Sequence, residues 1–179
     1  MNHQHGVNLK GSLIISILIG VLFFQLNACI NPFAPKLDFN SETSGSLSDL
    51  TTVDGVFQNL QYSYTFKDST IYGRLLGDDF LFTYRNYDLG FDVSWGRDEE
   101  MKATHGLFQN AERLDLIWNN VVASSQDSVE ANLIRGFNLT ITFNPTDVIR
   151  IDGRVNLLLK KNANTNNWAI HRWLDESNF

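Results

Sequence analysis

Beyond its first ten residues the chain carries two histidines, His105 and His171. A histidine does acid–base chemistry when a carboxylate fixes its tautomer, which here requires His105 or His171 to stand beside Asp79 or Asp175. No motif pairs either histidine with a base, and the ordinary reading of a lone histidine is a surface or satisfied core residue. Asp78-Asp79 follows Gly77. An acid held beside apolar walls takes protons from carbon, but acids after a glycine also suit a plain helix-to-strand turn. Tyr62, Tyr64, Tyr72, Trp95 and Trp118 are the richest set. Aromatic walls with hydroxyl or indole donors orient a ligand in an apolar pocket, and the same residues also serve as core.

Other chemistry is excluded by what is missing. One cysteine, Cys29, and the two later histidines cannot build a zinc ribbon, a CxxC pair or a His-rich metal site. Asp98-Glu99-Glu100 lacks the spaced oxygen ligands and glycine of a calcium loop and reads as helix-starting charge. There is no GxSxG elbow and no phosphate-cradling glycine loop, so no cofactor and no metal are expected. The 179 residues, 43% hydrophobic with a formal charge of -6, suit one acidic domain and give no footprint for nucleic acid.

Gly11 to Phe24 (GSLIISILIGVLFF) is an uncharged run too short to span a bilayer core but long enough for a secretory leader. Leu26-Asn27-Ala28-Cys29 resembles the lipobox of bacterial lipoproteins, with Asn27 where that family usually has a smaller or apolar residue. The resemblance implies cleavage after residue 28 and acylation of Cys29. Two or more acyl chains hold a protein on a membrane where one does not. Residues 29–47, with Pro32, Pro35 and Gly45, form the expected tether, and residues 48–179 the folded domain. Processing would leave 13 basic against 20 acidic residues. That charge would keep the domain off anionic lipid in the cell envelope, where the outer membrane is favoured over the inner.

The elements that must position the candidates follow from periodicity. Leu50, Val53, Phe57, Leu60 and Tyr64 form a helical stripe, capped by Ser48 or Thr51. A second helix starts at Asp68 or Ser69 and stops at Gly77. Asp79 to Arg85 alternates as a strand and is followed by an irregular stretch, then a helix over Arg97 to Asn110. After Glu112 the period is two: strands around Leu114–Trp118, Phe137–Phe143, Ile149–Leu159 and Trp168–Asp175, with a turn at Asn144-Pro145-Thr146-Asp147 and a bulge at Asp152-Gly153. The last strand is apolar on both faces, which suits a central position. The expected architecture is α+β: a curved antiparallel sheet of five strands wrapped around the N-terminal helices as a cone with cystatin-like topology.

This order, the phrase Tyr72-Gly73-Arg74-Leu75-Leu76-Gly77-Asp78-Asp79-Phe80-Leu81-Phe82, and the terminal Asn167-Trp168-Ala169-Ile170-His171-Arg172-Trp173-Leu174-Asp175 resemble the nuclear-transport-factor-2-like, or polyketide-cyclase-like, superfamily over Ser48 to Asp175. The resemblance implies a hollow between helices and sheet, used by enzymes such as isomerases, dehydratases and hydrolases, by binding modules, and by accessory domains. The first expectation is an envelope lipoprotein that binds a small apolar ligand or an envelope protein without catalysis. The second is a small-molecule isomerase, dehydratase or hydrolase, and the third a structural or assembly domain. The candidate pocket residues are Tyr62, Tyr72, Asp79, Trp95, His105 and Trp118. A homodimer could use whichever of Arg172 and Trp173 faces outward. Expressed in a lipidation-competent bacterium, Cys29→Ser should release the protein from the membrane fraction. Retention unchanged by the substitution would mean an uncleaved hydrophobic anchor instead.

Overall fold

The computed structural model describes residues 47–177. The leader, Cys29 and nearly all of the tether lie outside the described residues. Three helices and six strands follow in the order α1 (Val53–Phe66), α2 (Ser69–Leu75), β1 (Leu76–Asn86), β2 (Phe91–Gly96), α3 (Arg97–Asn110), β3 (Arg113–Gln126), β4 (Glu130–Asn144), β5 (Asp147–Lys161) and β6 (Trp168–Ser177). No helix among the described residues is long and apolar enough to cross a membrane.

The helices begin where side chains satisfy the orphan amides of a first turn. Thr52, not Ser48 or Thr51, caps α1 by accepting from the Gly55 amide at 3.0 Å. Asp68 caps α2 by accepting from the amides of Thr70 and Ile71. In α3 Asp98, Glu99 and Glu100 occupy the first turn without a side-chain cap, as the helix macrodipole favours. The stripe of α1 buries Val53, Val56, Phe57 and Leu60 against the sheet.

The sheet corrects the expected architecture. Its strand order is β2-β1-β6-β5-β4-β3, so it is an open ladder with β2 and β3 at its edges. It is also mixed, because β1 and β6 run parallel while every other pair is antiparallel. The curved, all-antiparallel, cystatin-like cone is therefore replaced by an unclosed mixed sheet that does not wrap the helices. Period-two patterning shows which face of a strand is dry but carries no record of its partner's direction, which is why the parallel pair was not foreseen.

Two further differences bear on the site. The stretch after β1 is a second strand, β2, closing a hairpin through Gly90 at φ 74°. It carries no dry-face alternation because all six of its residues are exposed or half-buried on an edge. Second, β5 has no bulge at Asp152-Gly153: the β4–β5 register runs unbroken from Glu130↔Lys160 to Thr142↔Val148. Ile149, Ile151, Val155, Leu157 and Leu159 share one parity and need no correction.

The irregularity lies in β6. Leu159 pairs with Ile170 and Leu158 with Arg172, so His171 is one extra residue opposite β5. That bulge explains the apolar residues on both faces of the terminal sequence. Trp168 and Ile170 face the core before it, and the change of parity keeps Trp173, rather than Arg172, on the same side after it. The strand is central, between β1 and β5. His171 is held by Asp79 through Nδ1 and Oδ1. Gly77, expected as a helix stop, lies in β1 and accommodates the imidazole: a Cβ there would stand 2.8 Å from its Cε1. Gly77→Ala should cost about 1–3 kcal/mol in urea denaturation by displacing that ring. The cost should shrink in a His171→Ala background; an equal cost in both would show that the ring is not what the glycine accommodates.

Candidate functional site

The inward faces of all six strands and of the three helices leave a cavity of about 210 Å³. Seven aromatic side chains form much of its wall: Tyr64 from α1, Tyr72 from α2, Phe82 from β1, Trp95 from β2, Trp118 from β3, Phe137 from β4 and Trp173 from β6. Phe82 and Trp95 are register partners across the β1–β2 hairpin and stack with centroids 4.5 Å apart. Trp118 is locked in place by donating its indole N–H to the Phe57 carbonyl at 3.0 Å and by an edge contact with the Phe57 ring.

The polar side of the cavity is acidic. Glu100, only 6% exposed, receives three hydrogen bonds: Tyr72 Oη to Oε1 at 2.6 Å, Thr104 Oγ1 to Oε1 at 3.0 Å and Trp95 Nε1 to Oε2 at 2.6 Å. A buried carboxylate is tolerated when its lone pairs are occupied, and this one is met by donors from α2, α3 and β2 instead of by a cation. Asp175 also lines the cavity, and accepts from the Ser177 amide at 2.9 Å. Burial pushes its carboxyl above the ordinary carboxylate value, and the nearby charges of Glu100 and Glu176 add to that. Burial, with the charges of Glu100 and Asp175 behind it, pushes the Tyr64 phenol up as well. Tyr72 is raised by burial first, then by Tyr64 and Glu100. Both phenols therefore stay protonated at neutral pH. The Tyr72 hydroxyl is committed to Glu100, whereas no described residue hydrogen-bonds Tyr64 Oη.

Three of the six expected pocket residues, Tyr72, Trp95 and Trp118, meet in this cavity. The other three do not. Tyr62 packs against Phe66 with ring centroids 4.4 Å apart and planes tilted by 39° and is not among the lining residues, and His105 is exposed on α3. Asp79 does form a His–carboxylate pair with His171, but on a surface groove beside Lys160 and Trp168, away from the cavity. Arg172 is the exposed member of the terminal pair and Trp173 the buried one. Glu100 was missed because three consecutive acids read as first-turn charge. The spacing Glu100, Thr104, Phe108 places all three on one helical face, and all three are buried. Among the described residues no group of three or more His, Cys, Asp or Glu side chains is arranged to hold a metal ion.

No family model matches the chain, and no curated protein matches it. Solved structures do. The chain is similar to a conserved protein from Planctomyces limnophilus at 12% identity and TM-score 0.61, over 70% of this chain and 92% of that one. It is similar to a candidate scytalone dehydratase from Novosphingobium aromaticivorans at 15% identity and TM-score 0.61, over 71% and 82%. A candidate dehydratase of the nuclear-transport-factor-2-like family from Streptomyces avermitilis matches at 12% identity and TM-score 0.55, over 71% and 94%. At these identities the likeness shows the fold alone: the chain shares the α+β fold of these structures.

The raised Asp175 carboxyl makes stability depend on pH. Between the ordinary value of 3.8 and its higher native value, the folded chain keeps a proton that the unfolded chain has released. Stability from this group is thus present below that window and lost as pH rises through it. Asp175→Asn should flatten that part of the pH–stability curve and leave the protein more stable than wild type above it. A curve with the same slope in both proteins would place Asp175 in solvent.

Proposed function

We propose that the domain is an enzyme that moves a proton on a small, largely apolar molecule, and that its reaction is the elimination of water from a β-hydroxy carbonyl compound. The observation that carries this reading is one cavity holding a buried-side carboxyl, Asp175, and an uncommitted phenol, Tyr64, within an aromatic wall. A base in an apolar site works best with a raised pKa, and a phenol kept protonated by its surroundings supplies the acid. The fold likeness to structures described as candidate dehydratases supports the catalytic reading over binding alone.

In the step proposed, the Asp175 carboxylate removes the proton from the carbon next to the carbonyl. The freed electron pair becomes the new carbon–carbon double bond as the β-hydroxyl departs, taking the Tyr64 proton to leave as water. Asp175 then returns its proton to the Tyr64 phenolate. Glu100 does not react: its three hydrogen bonds hold Tyr72, Thr104 and Trp95 as a fixed wall, and its charge adds to the burial that makes Asp175 more basic. Acylation at Cys29 belongs to the same proposal. It is supported by the uncharged run and the Leu26-Asn27-Ala28-Cys29 ending, and would place the reaction at an envelope membrane.

Incubating the protein in deuterated water with a panel of β-hydroxy ketones, followed by mass spectrometry, tests the reaction through alkene formation and deuterium uptake. Asp175→Asn should lower the rate about 10²–10⁴-fold and Tyr64→Phe should lower it too, while both variants keep the fold. Turnover by wild type that survives Asp175→Asn, or its absence across the panel, would overturn this reading.

A further inference from the structure

We infer that the molecule recognised in the cavity is an organic cation, a small compound carrying an ammonium group and an oxygen. The inference deepens the proposed reaction by naming its substrate class, and it rests on that reading only for what happens after binding. Two carboxyl groups, Glu100 and Asp175, border the cavity, and no lysine, arginine or histidine lines it. Neither acid takes part in any of the ion pairs among the described residues. No cation of the cavity lining competes for their negative charge, so a positively charged ligand would meet an acidic field that the lining does not compensate. Glu100 is already hydrogen-bonded at both oxygens by neutral donors, so its remaining influence on a ligand is its field. In an apolar, partly enclosed site that field is stronger than in water.

The wall is suited to the same kind of ligand. Phe82 and Trp95 stack at 4.5 Å, and Trp173 and Tyr84 lie within 6.1 and 5.6 Å of that pair respectively. Aromatic faces attract ammonium groups through their quadrupoles, most strongly where water is excluded. The protein uses this interaction elsewhere in the same wall: the Arg135 guanidinium, which is not among the lining residues, sits 4.9 Å from the Phe57 ring centroid and 5.7 Å from that of Trp118. A separate observation points to the oxygen. Trp173 is 8% exposed and lines the cavity, yet its indole Nε1 is buried without an acceptor. A buried donor left unpaired is costly, so a ligand oxygen would supply the bond the protein does not make.

The inference also gives the arrangement of acids a purpose. A cation entering beside Asp175 favours its ionised form, so the base is produced where and when the substrate is bound.

The test titrates choline and its neutral isostere 3,3-dimethylbutan-1-ol into the protein, following tryptophan fluorescence and confirming by calorimetry. Choline should bind about tenfold more tightly than the isostere. Asp175→Asn and Trp95→Leu should each reduce that preference, with circular dichroism confirming that the variants fold. Equal binding of the two compounds, binding of neither, or a preference unaffected by both substitutions would overturn the inference. Elimination from neutral substrates with no preference for choline would sink this inference and leave the proposed reaction standing. A choline preference without any elimination activity would do the reverse.

Discussion

The rest of the site depends on one extra residue in the last strand. Because side chains alternate across a sheet, Trp168 and Ile170 in the core would ordinarily commit Arg172 and Leu174 to the same side. The bulge at His171 changes the parity and delivers Trp173 and Asp175 to the cavity instead. A bulge in a central strand needs something to hold it, since it disturbs the ladder between β5 and β6. Here the imidazole of the extra residue lies against Gly77 and bonds Asp79. The surface histidine pair thus has a structural use, although it stands outside the cavity.

A second constraint is the cost of burying Glu100. A carboxylate removed from water needs its lone pairs filled, and the fold meets this with donors drawn from three separate elements: Tyr72, Trp95 and Thr104. That arrangement ties α2, α3 and the β1–β2 hairpin together at one point. It also leaves an acidic field in an aromatic cavity, and that field adds to burial, the larger cause, in raising the carboxyl of Asp175 and the phenol of Tyr64. Positioning and electrostatics are here the same set of contacts, and this is why the cavity is a better candidate for chemistry than the surface groove around His171.

How far the site could be read beforehand varied with the kind of residue. Tyr72, Trp95 and Trp118 were recognisable because large aromatics with a polar atom serve as pocket walls as well as core. Glu100 looked like its neighbours Asp98 and Glu99, since charge density at a helix start says nothing about which of three acids turns inward. Asp79 does meet a histidine, His171, but neither Asp79 nor His105 lines the cavity. Tyr62 falls on α1 two residues before Tyr64, and that step is enough to carry it to another side of the helix.

Sequence alone determined the local elements: the stripe of α1, the span of α3 from Arg97 to Asn110 and the turn at Asn144–Asp147 are all effects of residues a few positions apart. Hydrophobic period, caps and turn residues act over such distances, so they are legible in one dimension. Only the tertiary structure decided that β1 would run parallel beside β6, that the sheet would stay open, and that His171 would be the bulged residue. It also brought Glu100 and Asp175, 75 positions apart, to the same cavity. Strand direction and strand parity are settled by pairing between distant segments, and no pattern within either segment records its partner.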